Sequence, residues 1–292
     1  MGVPTALLTL LALVAFAGNS LLCRAALART AIDPAAFTLV RLAAGALALV
    51  ILVAARGRAS APPFPDRRAD LAAAFALFTY AAAFSYAYVG LPAGTGALLL
   101  FGAVQATMLL AGFRRGERLG PAGLAGFALA LAGLVGLVLP GVGAPAPLSA
   151  LLMLGAGVAW GAYSLRGRGS IDPLGRTATN FAWATPLAVV LAAIALAVGA
   201  FRLDPPGIVL AAFSGAITSG AGYAVWYTAL RHLQATPAAI VQLAVPVLAA
   251  LGGVALLGEP ITGRLLLCSL VVLGGIALAL TRVAVPHSAA SR

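Results

Sequence analysis

The sequence predicts an all-α integral membrane protein of ten transmembrane helices, arranged as two five-helix inverted repeats. Three observations carry that reading. Hydrophobic residues make up 62% of the chain and charged residues 9%, against roughly 25% charged in soluble domains. So much apolar surface exceeds what one core can bury and needs lipid as its solvent. Ten mainly apolar segments can be drawn, each near the ~20 residues that cross a bilayer as a helix. Finally, the second half echoes the first at one constant offset, which carries Arg24 onto Arg166, Ala87 onto Ala229, Gly116-Glu117 onto Gly258-Glu259 and Gly133 onto Gly275. After a three-residue slip, Ile32-Asp33-Pro34 falls on Ile171-Asp172-Pro173. With an odd number of spans in each half, the two copies sit upside down relative to one another, as in transporters whose substrate site lies near midmembrane.

The first segment, 3–24, lacks a basic leader and a cleavage signal, so it reads as a span rather than a signal peptide. Asp33-Pro34 separates it from the second, 35–55; Pro62-Pro63-Phe64-Pro65 precedes the third, 70–90; Pro92 opens the fourth, 92–112; and Gly120-Pro121 opens the fifth, 120–139. The break from Pro140 to Pro147 then divides five spans from five, giving halves 1–145 and 146–292. The second half carries spans at 147–166, 174–198 after Asp172-Pro173, 206–230 after Asp204-Pro205-Pro206, 236–257, and 262–282 after Glu259-Pro260. Such Pro- and Gly-bearing pairs stop helices and start turns. The spans are rich in Ala and Gly, which let helix backbones approach closely. We read Gly157 and Gly161 as packing within one chain, and the protein as a monomer.

Charge placement sets orientation. All 18 basic residues are Arg. With the N-terminus inside, thirteen fall in cytoplasmic breaks, four in outer breaks, and Arg41 alone within a span. This positive-inside bias places both termini in the cytoplasm, in a bacterial-type inner membrane. The net charge of +11 is therefore an orientation signal, with the lipid bilayer rather than nucleic acid as partner. Cys23 and Cys268 make neither a zinc site nor a disulfide framework. HExxH, G-x-S-x-G and Walker motifs are missing, so no catalytic residues, metal or cofactor are expected. His232, His287 and all seven acidic residues, Glu117 among them, fall in or beside breaks. Without a buried carboxylate as proton relay, transport is expected to be insensitive to a proton gradient.

Candidate substrate contacts are the polar and aromatic residues placed within spans. Arg41 either faces a cavity, offering a positive charge to a substrate carboxylate, or snorkels to the outer surface. Asn19, one turn from the end of its span, either supports Arg41 or bridges helices. Tyr80, Phe84 and Tyr88 recur every four residues and share a face, and Tyr223, Trp226 and Tyr227 form a patch on the eighth span. Trp160 and Tyr163 form one pair at three-residue spacing, Asn180 and Trp183 another. Aromatics at span ends are ordinarily belt anchors, a role that suits Tyr86 and Tyr88. We read the deeper Trp160, Tyr163, Tyr80 and Trp183 as cavity lining. Gln105 and Gln242 either bind a polar substrate or bridge helices. Pro186 and Pro246 interrupt spans seven and nine and free backbone carbonyls for gating or cavity lining.

The run "LLGEPITGRLLLCSLVVLGGIALAL" from Leu256 resembles the end of an EamA-type repeat of the drug/metabolite transporter superfamily, which pairs a Gly-Glu-Pro turn with a Gly-rich last helix. A degraded copy, "GERLGPAGLAGFALALAGLVGL", starts at Gly116. Arg41 eight residues after Asp33, and Pro246 in the ninth span, are also similar to the family. The resemblance covers nearly the whole chain. It implies two five-helix repeats and an alternating-access carrier of small molecules; its amino-acid exporters, for aromatic and other neutral amino acids, are nearest in size and aromatic content. Amphipathic drugs or cations are the alternative cargo. Sugar-nucleotides fit poorly, since Arg41 would be the cavity's sole cation. An intramembrane enzyme would need converging polar catalytic groups that the sequence does not offer, and a channel would show steady flux in place of saturable exchange. Asn180 stands where the echo expects a second Arg41, and Pro121 where it expects a Gly263 match, so the halves contribute unlike ligands.

Overall fold

A computed structural model describes residues 3–56, 67–114, 120–141, 144–167, 170, 172–230 and 241–281. Glu117, His232, His287, the Pro62-Pro63-Phe64-Pro65 stretch and the start of the ninth span lie outside them. Every regular element among the described residues is helical. The first half contributes α1 (Val3–Arg29), α2 (Pro34–Ala55), α3 (Arg67–Tyr88), α4 (Ala93–Arg114) and α5 (Pro121–Val138). The second contributes α6 (Pro147–Gly167), α7 (Pro173–Ala197), α8 (Pro205–Phe213), a π-helical stretch (Ser214–Ala221), α9 (Gly222–Leu230), α10 (Ala244–Leu257) and α11 (Gly263–Thr281). Among the described residues, eight helical runs are long and apolar enough to cross a membrane, Pro205–Trp226 being one continuous run; Ala244–Leu257 and Gly263–Ala279 are shorter.

The Asp-Pro pairs work as helix starts. The Asp33 carboxylate accepts from the backbone N–H of Ala35 (2.8 Å) and Ala36 (3.2 Å), with Pro34 in the first turn where its missing donor costs nothing. Asp172 and Asp204 cap α7 and α8 through the Gly175 and Gly207 N–H groups. The α10 helix ends at Gly258, whose φ of +64° is the left-handed turn that glycine adopts without strain.

One boundary corrects the sequence reading, and one interruption falls near its proline. α1 continues to Arg29, so Arg24 stands inside a helix rather than in a break. In the ninth span the helix is interrupted at Leu243, and α10 restarts at Ala244 with Pro246 in its first turn. The cause is local: Pro246 has no N–H to give the Gln242 carbonyl four residues back. Pro186 does lie inside α7.

Helix packing has a repeating logic. α1 packs on the α8–π–α9 run and α10 of the second half, as its counterpart α6 packs on α3 and α4 of the first. α2 meets α7, α4 meets α10 and α5 meets α11, each helix against its own echo. The α5–α11 crossing is nearly backbone to backbone. A Cβ on Gly126 would stand 2.6 Å from the Ala279 nitrogen and the Gly275 oxygen, and one on Gly275 would stand 2.6 Å from the Ala130 nitrogen. Arg264, at the start of α11, donates to the Gly136 carbonyl (2.7 Å and 3.1 Å) and to Leu139 at the end of α5. The start of one helix thus meets the end of the other, and α5 and α11 run antiparallel.

Among the described residues, two ion pairs join the halves at opposite ends of α3. The Arg24 guanidinium binds Glu259 (2.9 Å) and donates to the Tyr88 and Val89 carbonyls (3.0 Å and 3.1 Å), while Glu259 accepts from the Ala93 N–H (2.7 Å). Near the other end Arg176 of α7 binds Asp70 (3.1 Å). The eighteen-residue separation of Asp70 and Tyr88 amounts to roughly 27 Å of helix, about the hydrocarbon thickness of a bilayer. Asp70 is buried, which corrects the expectation that no carboxylate is.

Candidate functional site: a polar knot beneath an aromatic cavity

The bundle interior holds a small cavity of ≈ 20 Å³, room for one water molecule. α1 supplies Phe16, Asn19 and Ser20 to its wall, α3 Tyr80 and Phe84, and α4 Leu100 and Phe101; Trp160 of α6, Thr218 of the π-helical stretch and Tyr223 of α9 complete it. Both halves therefore build it.

Rings form most of the enclosure. On α3 the four-residue spacing stacks Tyr80 on Phe84 (5.4 Å between centroids) and Phe84 on Tyr88 (4.7 Å). Trp160 sits between Tyr80 (4.8 Å) and Tyr223 (5.1 Å) and also touches Tyr163 (5.4 Å). Phe16 and Phe181 pack edgewise on Tyr223 at 6.0 Å each. Ring pairs in tilted and edge-on arrangements add about 0.5–1.5 kcal/mol each beyond burial. A cavity walled this way is stiff toward small shifts but opens where whole helices part.

Beside the rings lies a polar knot. The Tyr80 hydroxyl accepts from Arg41 (3.0 Å) and from the Asn19 amide (3.2 Å). Asn19 in turn accepts from Ser214 (2.7 Å) and Thr218 (3.4 Å), and Arg41 also donates to Ser219 (3.4 Å). Arg41 is 1% exposed, which excludes snorkelling and leaves the interior-facing alternative. Its guanidinium lies over the Tyr80 ring (5.2 Å) and the Phe84 ring (4.9 Å), and its Nη1 has no hydrogen-bond partner among the described residues. Close approach makes this possible: Gly215 lies against the Arg41 backbone carbonyl, where a side chain would collide. The π-helical stretch turns Ser214, Thr218 and Ser219 inward; such stretches frequently mark functional sites.

The remaining candidates fall elsewhere. Tyr163 is buried and packs on Trp160, outside the cavity wall. Asn180 is 3% exposed and its Oδ1 has no hydrogen-bond partner among the described residues, whereas Trp183 is 37% exposed. Trp183 therefore does not line the cavity as expected: three residues advance a helix by roughly 300°, enough to carry its ring past the edge of the buried stripe that holds Asn180. Gln242 is half-buried at the break before α10, away from the cavity. Tyr88, expected as a belt anchor, is fully buried and donates to the Ala93 carbonyl (3.3 Å), while Tyr86 is exposed. Sequence reasoning missed Ser214, Thr218 and Ser219. Their signal was present, as small hydroxyl residues four apart within an otherwise apolar span.

The comparisons with known proteins agree with this architecture. The EamA-like transporter family matches the chain twice, over residues 3–139 and 147–281. The chain is 58% identical over 276 residues to an uncharacterized protein of Pseudomonas aeruginosa, covering 94% of each. A solved structure described only as a crystal structure of a protein has TM-score 0.68 and 20% identity, covering 96% of this chain and 98% of its own, a likeness of fold. The chain belongs to the EamA-like transporter family and is a two-repeat, multi-pass membrane transporter of the drug/metabolite type.

Proposed function

We propose that the protein exports amino acids, aromatic or other neutral, and related small metabolites by alternating access. Its two five-helix halves, 1–145 and 146–292, would form ten spans and act as inverted repeats in a bacterial-type inner membrane, with both termini cytoplasmic. The antiparallel crossing of α5 with its echo α11 supports the inversion. One observation carries the cargo reading: the interior cavity is walled by Tyr80, Phe84, Trp160 and Tyr223, with the Arg41–Asn19 knot on one side. Rings suit an apolar side chain, and the knot suits a polar backbone end. At ≈ 20 Å³ the cavity is far smaller than the about 300–1,000 Å³ of pockets that hold drug-sized ligands. Loading therefore requires helices to part on one face, by release of the Arg24–Glu259 or the Arg176–Asp70 pair. Asp70 is buried but neutralised by Arg176, so transport is not driven by a proton gradient.

Proteoliposomes offered labelled amino acids, sugars and cationic dyes test the reading. Saturable exchange of neutral amino acids, undiminished when the pH gradient is collapsed, is the expected result. Uptake of dyes alone, or flux without saturation, would overturn it. Arg56→Cys in intact cells should resist labelling by an impermeant maleimide added outside.

A further inference from the structure

The geometry points to the Tyr80 hydroxyl as the direct donor to a substrate carboxylate, with Arg41 acting through it. The inference rests on the cavity being the transport site. A phenol has two lone-pair positions and one proton. At Tyr80 both acceptor positions are taken, by Arg41 (3.0 Å) and by Asn19 (3.2 Å). The Asn19 amide faces Tyr80 with its N–H side because Ser214 donates to its oxygen. Among the described residues the Tyr80 proton has no acceptor, and the side chain lines the cavity. That proton is left for whatever enters.

Charge selects the visitor. Arg41 is fully buried, none of the ion pairs among the described residues includes it, and its Nη1 is without a hydrogen-bond partner among them. A buried cation without a counter-ion is costly, and an arriving anion offsets that cost. Donation by the guanidinium also polarises the Tyr80 O–H, strengthening the hydrogen bond it can give. A single O–H at a single positive charge fits one carboxylate. A phosphate, which takes several donors, is served poorly, and a cationic amine is repelled. Trp160 and Tyr223 receive the rest of the molecule. Arg41 is thus a positioning residue, and Tyr80 makes the contact.

Calorimetric titration of the purified, full-length protein in nanodiscs tests this with matched pairs: phenylalanine against phenylalaninamide, and 3-phenylpropanoate against 3-phenylpropanamide. Each acid should bind about tenfold or more tightly than its amide, as loss of a hydrogen bond to a charged group implies. Tyr80→Phe keeps the ring and should erase that preference, weakening acid binding far more than amide binding. Arg41→Gln should narrow it, an effect that a purely structural arginine would not produce. Equal binding of acids and amides to the wild type, or an undiminished preference in Tyr80→Phe, would overturn the inference. The outcomes separate the two readings. Preference within the phenylpropanoate pair without amino-acid binding upholds the carboxylate site and removes the amino-acid cargo. Equal binding of phenylalanine and its amide does the reverse. Absence of binding in both series removes both.

Discussion

The α5–α11 crossing and the Arg41 knot are both close helix contacts in one bundle, but they are built from opposite materials. At the crossing Gly126 and Gly275 bring backbones together with no side chain between them and, among the described residues, no unpartnered side-chain polar atom. At the knot, rings and hydroxyls surround a buried guanidinium with a nitrogen unpartnered among the described residues, beside a small cavity. In lipid, helices associate through close packing and a few hydrogen bonds. A dry glycine contact has one good arrangement and loses contact energy in every other. A polar knot with a spare donor has at least two, one of them completed by a guest. The crossing is where the halves stay joined, and the knot is where they respond.

The largest expected effect lies at the crossing. Gly126→Leu forces four carbons into a gap where a first Cβ already stands 2.6 Å from backbone atoms. Overpacking in a tight core costs about 1–3 kcal/mol and occasionally more, and here backbone rather than a mobile side chain must yield. The variant should be scarce or polydisperse on size exclusion in detergent. A well-folded variant with unchanged Tm would break the contrast.

Trp160→Ala should behave in the opposite manner. Trp160 is half-buried at the cavity edge, so transport should fall more than tenfold while yield and Tm stay near wild type. A packing tryptophan would instead cost about 3–5 kcal/mol, visible as a large drop in Tm. Folding loss of that size would show the knot to be as rigid as the crossing.

A smaller effect is expected from the end clamp. Glu259→Gln removes the charge that holds Arg24 and weakens the acceptor for Ala93, at a cost of about 1.5–3 kcal/mol for hydrogen bonds to a charged group. Cysteine labelling at Val89 should speed up, and the reversed pair Arg24→Glu with Glu259→Arg should recover part of the protection. Unchanged labelling would mean the clamp does not close that face. The smallest effect is reserved for Trp183→Phe on the exposed side of α7, within about ±0.5 kcal/mol and with transport unchanged.

Much of this was legible in the chain. Asp-Pro pairs mark helix starts by a local mechanism, so α2, α7 and α8 begin where expected. The Tyr80-Phe84-Tyr88 stack follows from helix geometry alone, and a midspan arginine advertises itself. Pairings across the bundle were not legible. Arg24 and Glu259 are 235 residues apart, and nothing local to either says that they meet. Periodicity places Trp183 near Asn180 but does not reveal where the lipid boundary cuts between them. Tyr88 reads as a belt anchor in sequence because burial at a span end depends on neighbouring helices, here the N-terminal turn of α4.

The π-helical stretch has a consequence for register. An α-helix advances 100° per residue, and a π turn takes up roughly one residue more than an α turn. Between Ser214 and Ala221 the chain therefore accommodates one residue without rotating α9 by that full step. Tyr223 points at Trp160 because of this phase slip, not because of the pattern established in α8. If the stretch tightened into an α-helix, α9 would turn by about 100° relative to α8 and carry Tyr223 out of the wall. The place of Tyr223 in the wall thus depends on the wider turn between Ser214 and Ala221, with no break in the chain.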